Sequence, residues 1–178
     1  SAAMIVMDKM EGTIGDVQMA PLTALEIVTG FALSAATCGL MAGLLVALGT
    51  AAFVDYSSFD ARFILGFAVA TALLFAFLGT IVGLWAERWD HYGAIEGFVI
   101  VPLGLLSGTF FSVARLPEEY RDWIYANPVF YAVDGFRAGF IGQAETSVVL
   151  GAAFMVALNL ALAAVAWRLF AAGYKIRP

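Results

Sequence analysis

Apolar positions fall into four long blocks separated by short polar connectors, from about Ile27 to Phe53, Phe63 to Trp85, Ile95 to Val113 and Val148 to Phe170. Each block is near the ~20 residues that a bilayer-spanning helix requires. Hydrocarbon offers no partner for a free backbone donor or acceptor, so segments of this kind are expected as helices. The pattern predicts an all-α polytopic membrane bundle, residues 1–178 forming a single transmembrane domain with four spans and an additional helical hairpin.

The polar positions mark where those helices start and stop. Thr23-Ala24-Leu25-Glu26 is a capping box immediately before the first span. Upstream, Thr13 to Asp16 predicts a short separate helix that ends before Ala20-Pro21, which makes residues 8–26 a polar connector with a small helix of its own. Val54 to Asp60 is a tight connection between the first two spans, and Glu87 to Tyr92 joins the second to the third. Tyr56, Trp85, Trp89 and Tyr92 sit at these borders, as in an interfacial aromatic belt.

Residues 116–142, between the third and fourth spans, differ in character. Leu116-Pro117-Glu118-Glu119 puts a proline at a first helical position and carboxylates in a first turn, where the helix dipole favours them. That helix is expected to stop near Ala126. Asn127-Pro128 then restarts one with Asn as cap, and Gly142 ends it. Two helices too short to cross suggest a re-entrant or interfacial hairpin. In the third span, Pro102 removes one backbone hydrogen bond and predicts a kink.

Composition agrees: 62% of residues are hydrophobic, 13% are charged, and mean hydropathy is +0.91. Soluble domains carry about twice that share of charge, so the chain belongs to the membrane class. A net charge of −5 argues against nucleic acid as a partner. Cationic residues orient the bundle only weakly. Lys9, Arg88, Arg168, Lys175 and Arg177 lie on one side, and Arg62, Arg115, Arg121 and Arg137 on the other. The first side is barely favoured as cytoplasmic. The chain opens on Ser1, and Ser1 to Met7 reads as the tail of an apolar helix, without the order of features of a signal peptide. The sequence is therefore expected to be a fragment whose N-terminal part is missing.

Candidate chemistry is sparse. Cys38, the single cysteine, lies in an apolar run and is expected to be a buried structural residue. His91 lacks metal-ligating neighbours beyond Glu87 and Asp90 and is expected to face solvent. Leu105-Leu106-Ser107-Gly108 lacks the Gly-x-Ser-Gly arrangement of rhomboid proteases, and HExxH and Walker A motifs are absent. Catalytic, metal-binding and cofactor-binding residues are therefore assigned to none of the positions. Tyr131, Asp134 and Arg137 recur every three residues and share a helical face. An Asp134–Arg137 ion pair there would serve either as a gate for substrate or as a structural anchor. Small residues repeat at four-residue spacing at Ala35, Gly39 and Gly43, at Gly79 and Gly83, and at Gly104 and Gly108. Close helix packing within the chain is the expected use.

Taken together, the chain resembles the C-terminal two-thirds of a bacterial ABC-2 type transporter permease. The likeness is strongest in the run Leu106-Ser107-Gly108-Thr109-Phe110-Phe111, then Leu116-Pro117, then Asn127-Pro128 with Tyr131, Asp134 and Arg137. Glu11-Gly12-Thr13-Ile14, followed by Ala20-Pro21-Leu22-Thr23, is similar to the family's cytoplasmic loop between its second and third spans. Gly173 to Arg177 resembles the tail of small exporter permeases. The resemblance implies six spans in the whole protein, of which those here are the third to sixth. It implies two permease copies, as a homodimer, working with two separate ATPase subunits that hold the ATP, so that this chain carries no cofactor. Glu11, Gly12, Thr13 and Asp16 would belong to the element coupling to the ATPase. Phe110, Phe111, Asn127, Pro128, Tyr131, Asp134 and Arg137 would belong to an external hairpin or gate. The cargo implied is amphipathic: a polysaccharide, a lipid-linked glycan or a drug. Phe110, Phe111, Tyr120, Trp123, Phe130 and Tyr131 would either stack on sugar rings or anchor the interface. A non-transporting membrane anchor or scaffold subunit is the competing reading.

Overall fold

The computed structural model describes residues 1–53, 60–111, 113 and 117–175, and of 16–18 the backbone alone. Tyr56, Arg115, Leu116, Arg177 and the side chain of Asp16, all singled out above, lie outside the described residues. The described part is helical: α1 (Ala2–Glu11), α2 (Ile14–Met19), α3 (Ala24–Ala51), α4 (Ala61–Trp85), α5 (Trp89–Ile95), a π-helical turn (Glu96–Ile100), α6 (Val101–Leu105), α7 (Glu118–Tyr125), α8 (Pro128–Ile141) and α9 (Val148–Ala171).

Three of these, α3, α4 and α9, are long and apolar enough to cross a membrane. The expected fourth span, Ile95 to Val113, is not among them. The apolar run ends at Val113, but the continuous helix formed by α5, the π turn and α6 ends at Leu105. Two residues stop it. Ser107 turns its hydroxyl back to Gly104 O at 2.6 Å, and Gly108 takes a left-handed φ of +78° that a side chain would resist. Pro102 sits directly after the π turn, where Val101 N–H donates to Glu96 O. An ordinary α-helix would set the Pro102 ring against the carbonyl four residues back, and the wider π turn accommodates it.

α4 is the centre of the bundle and packs on α3, α9, α8 and α1. Phe67, Leu74, Ala132 and Met155 form the core where α4, α8 and α9 meet. Near the other end of α4, Ile5 and Leu84 pack with Phe31, Leu169 and Phe170. Glycines set the close approaches. A Cβ at Gly135 would lie 2.3 Å from the Phe67 ring, and one at Gly83 would lie 3.0 Å from Ala2 O. The pairs Gly79/Gly83 and Gly135/Gly139 therefore receive neighbouring elements, which is close packing within the chain, whereas Gly43 and Gly104 face open space. Asn159, in the apolar middle of α9, donates to Ala70 O at 3.0 Å and Met155 O at 2.8 Å, tying α9 to α4.

The predicted caps form. Thr23 and Glu26 make the full capping box of α3, Asn127 accepts from Val129 N at 2.9 Å with Pro128 first in α8, and Gly142 closes α8 at φ +70°. The expectation for Cys38 is corrected: it is exposed rather than buried. α3 buries only a thin stripe (Val28, Ala32 and Ala36), and Cys38 lies off it.

Candidate functional site

The hairpin residues converge on a polar network at the end of the bundle where α4 begins. Asn127, 4% exposed, donates to Leu103 O at 2.7 Å and so ties the start of α8 to the end of α6. The Tyr131 hydroxyl donates to Tyr125 O at 2.9 Å, closing α7 onto α8. Asp134 is buried and accepts from Glu145 N at 2.7 Å, Thr146 N at 3.0 Å and the Thr146 hydroxyl at 2.7 Å. Arg137 donates to Glu145 Oε1 at 3.0 Å and to Gly108 O at 2.9 Å, and Glu145 Oε2 accepts from Val113 N at 3.0 Å.

The expected Asp134–Arg137 pair is therefore corrected: Arg137 pairs with Glu145. The two side chains do share a face of α8. The short Asp134 side chain, however, is directed at the N–H groups that precede α9, while the longer Arg137 reaches Glu145 and Gly108 O. A buried carboxylate with three donors is satisfied without a cation. Glu145 and Thr146 had no motif to flag them. The available signal was an acid in a short polar gap between two apolar helices, which must find a partner.

The aromatics divide. Phe111, Phe130 and Tyr131 pack in the cluster around Val113 and Ile124, and Tyr131 meets Phe154 at 4.7 Å between ring centroids. Phe110, Tyr120 and Trp123 stay exposed and available for interface or ligand.

At the opposite end of α4 a second polar cluster gathers α1 and the segment after α9. Lys9 Nζ donates to Gly83 O at 3.0 Å, Ala86 O at 3.2 Å and Leu84 O, supplying a cation to the last carbonyls of α4. Burial, then the charge of Lys175, hold its pKa below the ordinary lysine range. Lys175 pairs with Glu87 at 2.8 Å, donates to Trp85 O at 3.2 Å and lies over the Trp85 ring. The Lys175 hydrogen bond and charge lower the Glu87 pKa, and the reciprocal interaction raises that of Lys175. His91 is half-buried rather than solvent-facing: its ring lies against Trp85 and its Nδ1 accepts from Glu87 N at 3.5 Å. Beside this cluster, Glu11, Gly12 and Thr13 are exposed at the α1–α2 turn, where Gly12 adopts φ +79° and Thr13 Oγ1 donates to Asp8 O at 3.3 Å. The backbone of Asp16 lies in α2. The α1–α2 turn and the α7–α8 hairpin thus lie toward opposite ends of α4.

Between these ends runs a cleft of about 1240 Å³, walled by α3, α4, the Trp89–Leu105 helix and Phe136 and Phe140 of α8. The Trp89–Leu105 helix meets α1 and α4 near its start and α8 at its end. Glu96, in the π turn, lines this cleft together with Tyr92. Sequence reasoning passes over Glu96, although an acid one residue inside an apolar block is a signal. Among the described residues, no group of His, Cys, Asp and Glu is placed to hold a metal ion.

The family model for the ABC-2 type transporter matches residues 1–141. The inner membrane transport permease YadH of Escherichia coli K12 is 29% identical over 169 residues, which is 95% of this chain and 66% of that protein. Nodulation protein J of Rhizobium leguminosarum bv. viciae is 32% identical over 130 residues, covering 72% of this chain and 50% of its relative. Nodulation protein J of Neorhizobium galegae is 28% identical over the same length. The chain thus spans about two-thirds of the first relative's length and half of the second's. No solved structure matches significantly. A match over most of the chain, on a bundle with three membrane-length helices, makes it a member of the ABC-2 type transporter family.

Proposed function

We propose that this chain is the transmembrane permease subunit of an ATP-driven exporter in the bacterial inner membrane, moving an amphipathic cargo. The family match over residues 1–141 carries the reading. The name of the YadH relative, an inner membrane transport permease, supports the location. ATP chemistry belongs to separate ATPase subunits, since no catalytic constellation is visible in this sequence. The ATPase docks at the exposed α1–α2 turn, through Glu11, Gly12, Thr13 and Asp16, and a second permease copy completes the transporter. Support comes from the position of that turn beside the Lys9–Glu87–Lys175 cluster. A push on α2 passes through α1 and Lys9 to the end of α4, biasing the bundle between two packings. The hairpin of α7 and α8, dipping toward the bilayer from the outer side, forms the external gate.

The test is co-expression of the full-length permease with an ATPase encoded beside it. Charge reversal at Glu11 or Asp16 is expected to lower both co-purification and ATP turnover by about tenfold or more, the scale of lost interface charge pairs. Unchanged binding and turnover would overturn the coupling assignment. A non-transporting anchor would keep the ATPase bound and show no ATP-dependent cargo movement in inverted vesicles.

A further inference from the structure

The carbonyls of Gly83, Leu84, Trp85 and Ala86 lie beyond the last backbone bond of α4, which runs from Ala86 N–H to Val82 O. A helix commonly answers such groups with a left-handed cap of its own, but Ala86 is extended, at φ −71° and ψ 134°. All four are met from other elements. Lys9 of α1 takes Gly83, Leu84 and Ala86, which uses its three donors, and Lys175 takes Trp85. Lys175 is fixed to α9 by the turn before it, where Gly173 N–H donates to Phe170 O and Tyr174 N–H to Leu169 O, both at 3.0 Å. Among the described residues it is the one non-glycine with a positive φ, +53°, a conformation that persists where surrounding contacts hold it. Glu87, 2.8 Å from Lys175, supplies an acid to offset two cations at one helix end. Ile5 and Ile14 pack around Leu84, so both arms of the α1–α2 turn seat here. Apolar packing is non-directional, whereas charge-assisted hydrogen bonds to a row of carbonyls fix position along the helix.

We propose that Lys9 and Lys175 are positioning residues for transport. They form a clasp that makes α1, the end of α4 and the end of α9 one body, so that a displacement of the α1–α2 turn reaches α9 as well as α4. Without Lys9, three carbonyls lose their donor and α1 is held to this end of α4 by apolar contacts. Without Lys175, α9 keeps its packing on α4 but loses its tie to the clasp. This inference rests on the export-permease reading and names the residues that pass on its stroke.

The experiment follows backbone hydrogen–deuterium exchange in the full-length permease in detergent, with and without an ATPase encoded beside it. In wild type the ATPase is expected to slow exchange around the α1–α2 turn and to change it, by about twofold or more, in peptides covering residues 82–88 and 169–175. Lys9→Met is expected to leave the turn protected and to speed exchange at 82–88 about tenfold, the scale of lost hydrogen bonds to a charged group. It is also expected to abolish the ATPase-dependent change at 169–175. Lys9→Arg keeps a cation at the carbonyls and keeps both changes. Lys175→Met, which leaves Lys9 in place, loses the change at 169–175 alone. A merely structural lysine would alter exchange without the ATPase and leave the ATPase-dependent difference standing. The proposal is overturned if the change at 169–175 survives Lys9→Met or Lys175→Met. Lys175→Met carries the test if Lys9→Met does not fold. A protected turn with no change at 82–88 and 169–175 in wild type removes the clasp and leaves the export reading intact. A turn that the ATPase does not protect removes the export reading and this transmission with it.

Discussion

Asp134 is the residue on which the hairpin end depends, because one carboxylate satisfies two backbone N–H groups and one hydroxyl. Asp134→Asn keeps the shape but replaces one acceptor oxygen by a donor facing donors. A cost of about 1–3 kcal/mol is expected, the range for leaving buried groups unsatisfied. It should appear as a lower thermal midpoint in detergent and a lower yield of folded protein; wild-type values for both would remove the network from the account of stability. At the other end, the Glu87–Lys175 pair has a defined pH window. The Glu87 pKa is lowered in the folded chain, so its contribution is present above the ordinary glutamate range and fades as pH falls through the depressed value. The Lys175 pKa is raised, so its contribution is present below the ordinary lysine range and fades as pH climbs through the raised value. Lys9 has the opposite sign for a base: its lowered pKa means that stability rises with pH between the folded value and the ordinary one. Wild type and Glu87→Gln should therefore differ in thermal midpoint near neutral pH and converge in acid. A gap that persisted at acidic pH would contradict the pairing.

Among the elements, α8 has the tightest seat. Gly135 faces the Phe67 ring with no room for a methyl group, whereas a Cβ added at Gly30 of α3 would meet nothing within 4 Å. Gly135→Ala is expected to cost about 1–3 kcal/mol by overpacking, despite the better helix propensity of alanine. Gly30→Ala should be neutral or stabilising by up to about 1 kcal/mol. Paired thermal-unfolding curves read the contrast, and equal shifts in the two variants would show that α8 does not press on α4. Element starts and stops are legible in the sequence where a side chain performs the cap itself, as at Thr23, Asn127 and Gly142. The end of the third apolar block is not legible, because hydropathy does not report where a helix ends. Ser107 and Gly108 end it through a local hydrogen bond and a left-handed φ, inside a run that stays apolar to Val113.

Across the whole molecule, the membrane class and the bundle are legible, since long apolar blocks leave the backbone few alternatives. The partners within the site are not. Arg137 meets Glu145 eight residues on and Gly108 twenty-nine residues back, because Gly108 and the segment before α9 are folded against α8. A one-dimensional rule finds the i,i+3 neighbour and misses both. The exposure of Cys38 has a similar cause: in water a lone cysteine in an apolar helix is normally inside, but a membrane helix can keep most of its apolar surface outward. The α1–α2 turn and the hairpin lie toward opposite ends of α4, which among the described residues touches α1, α3, α8 and α9.

The π-helical turn at Glu96–Ile100 amounts to one surplus residue in the helix that carries it. Removing one residue there would let the helix close into ordinary α geometry, with the segments on either side keeping nearly their present relation. Pro102 would then meet the carbonyl that it now avoids, while Leu103 O would stay near Asn127. The surplus residue and Pro102 thus belong together, and a deletion of a single amino acid would place a proline clash inside the helix while altering composition and hydropathy hardly at all.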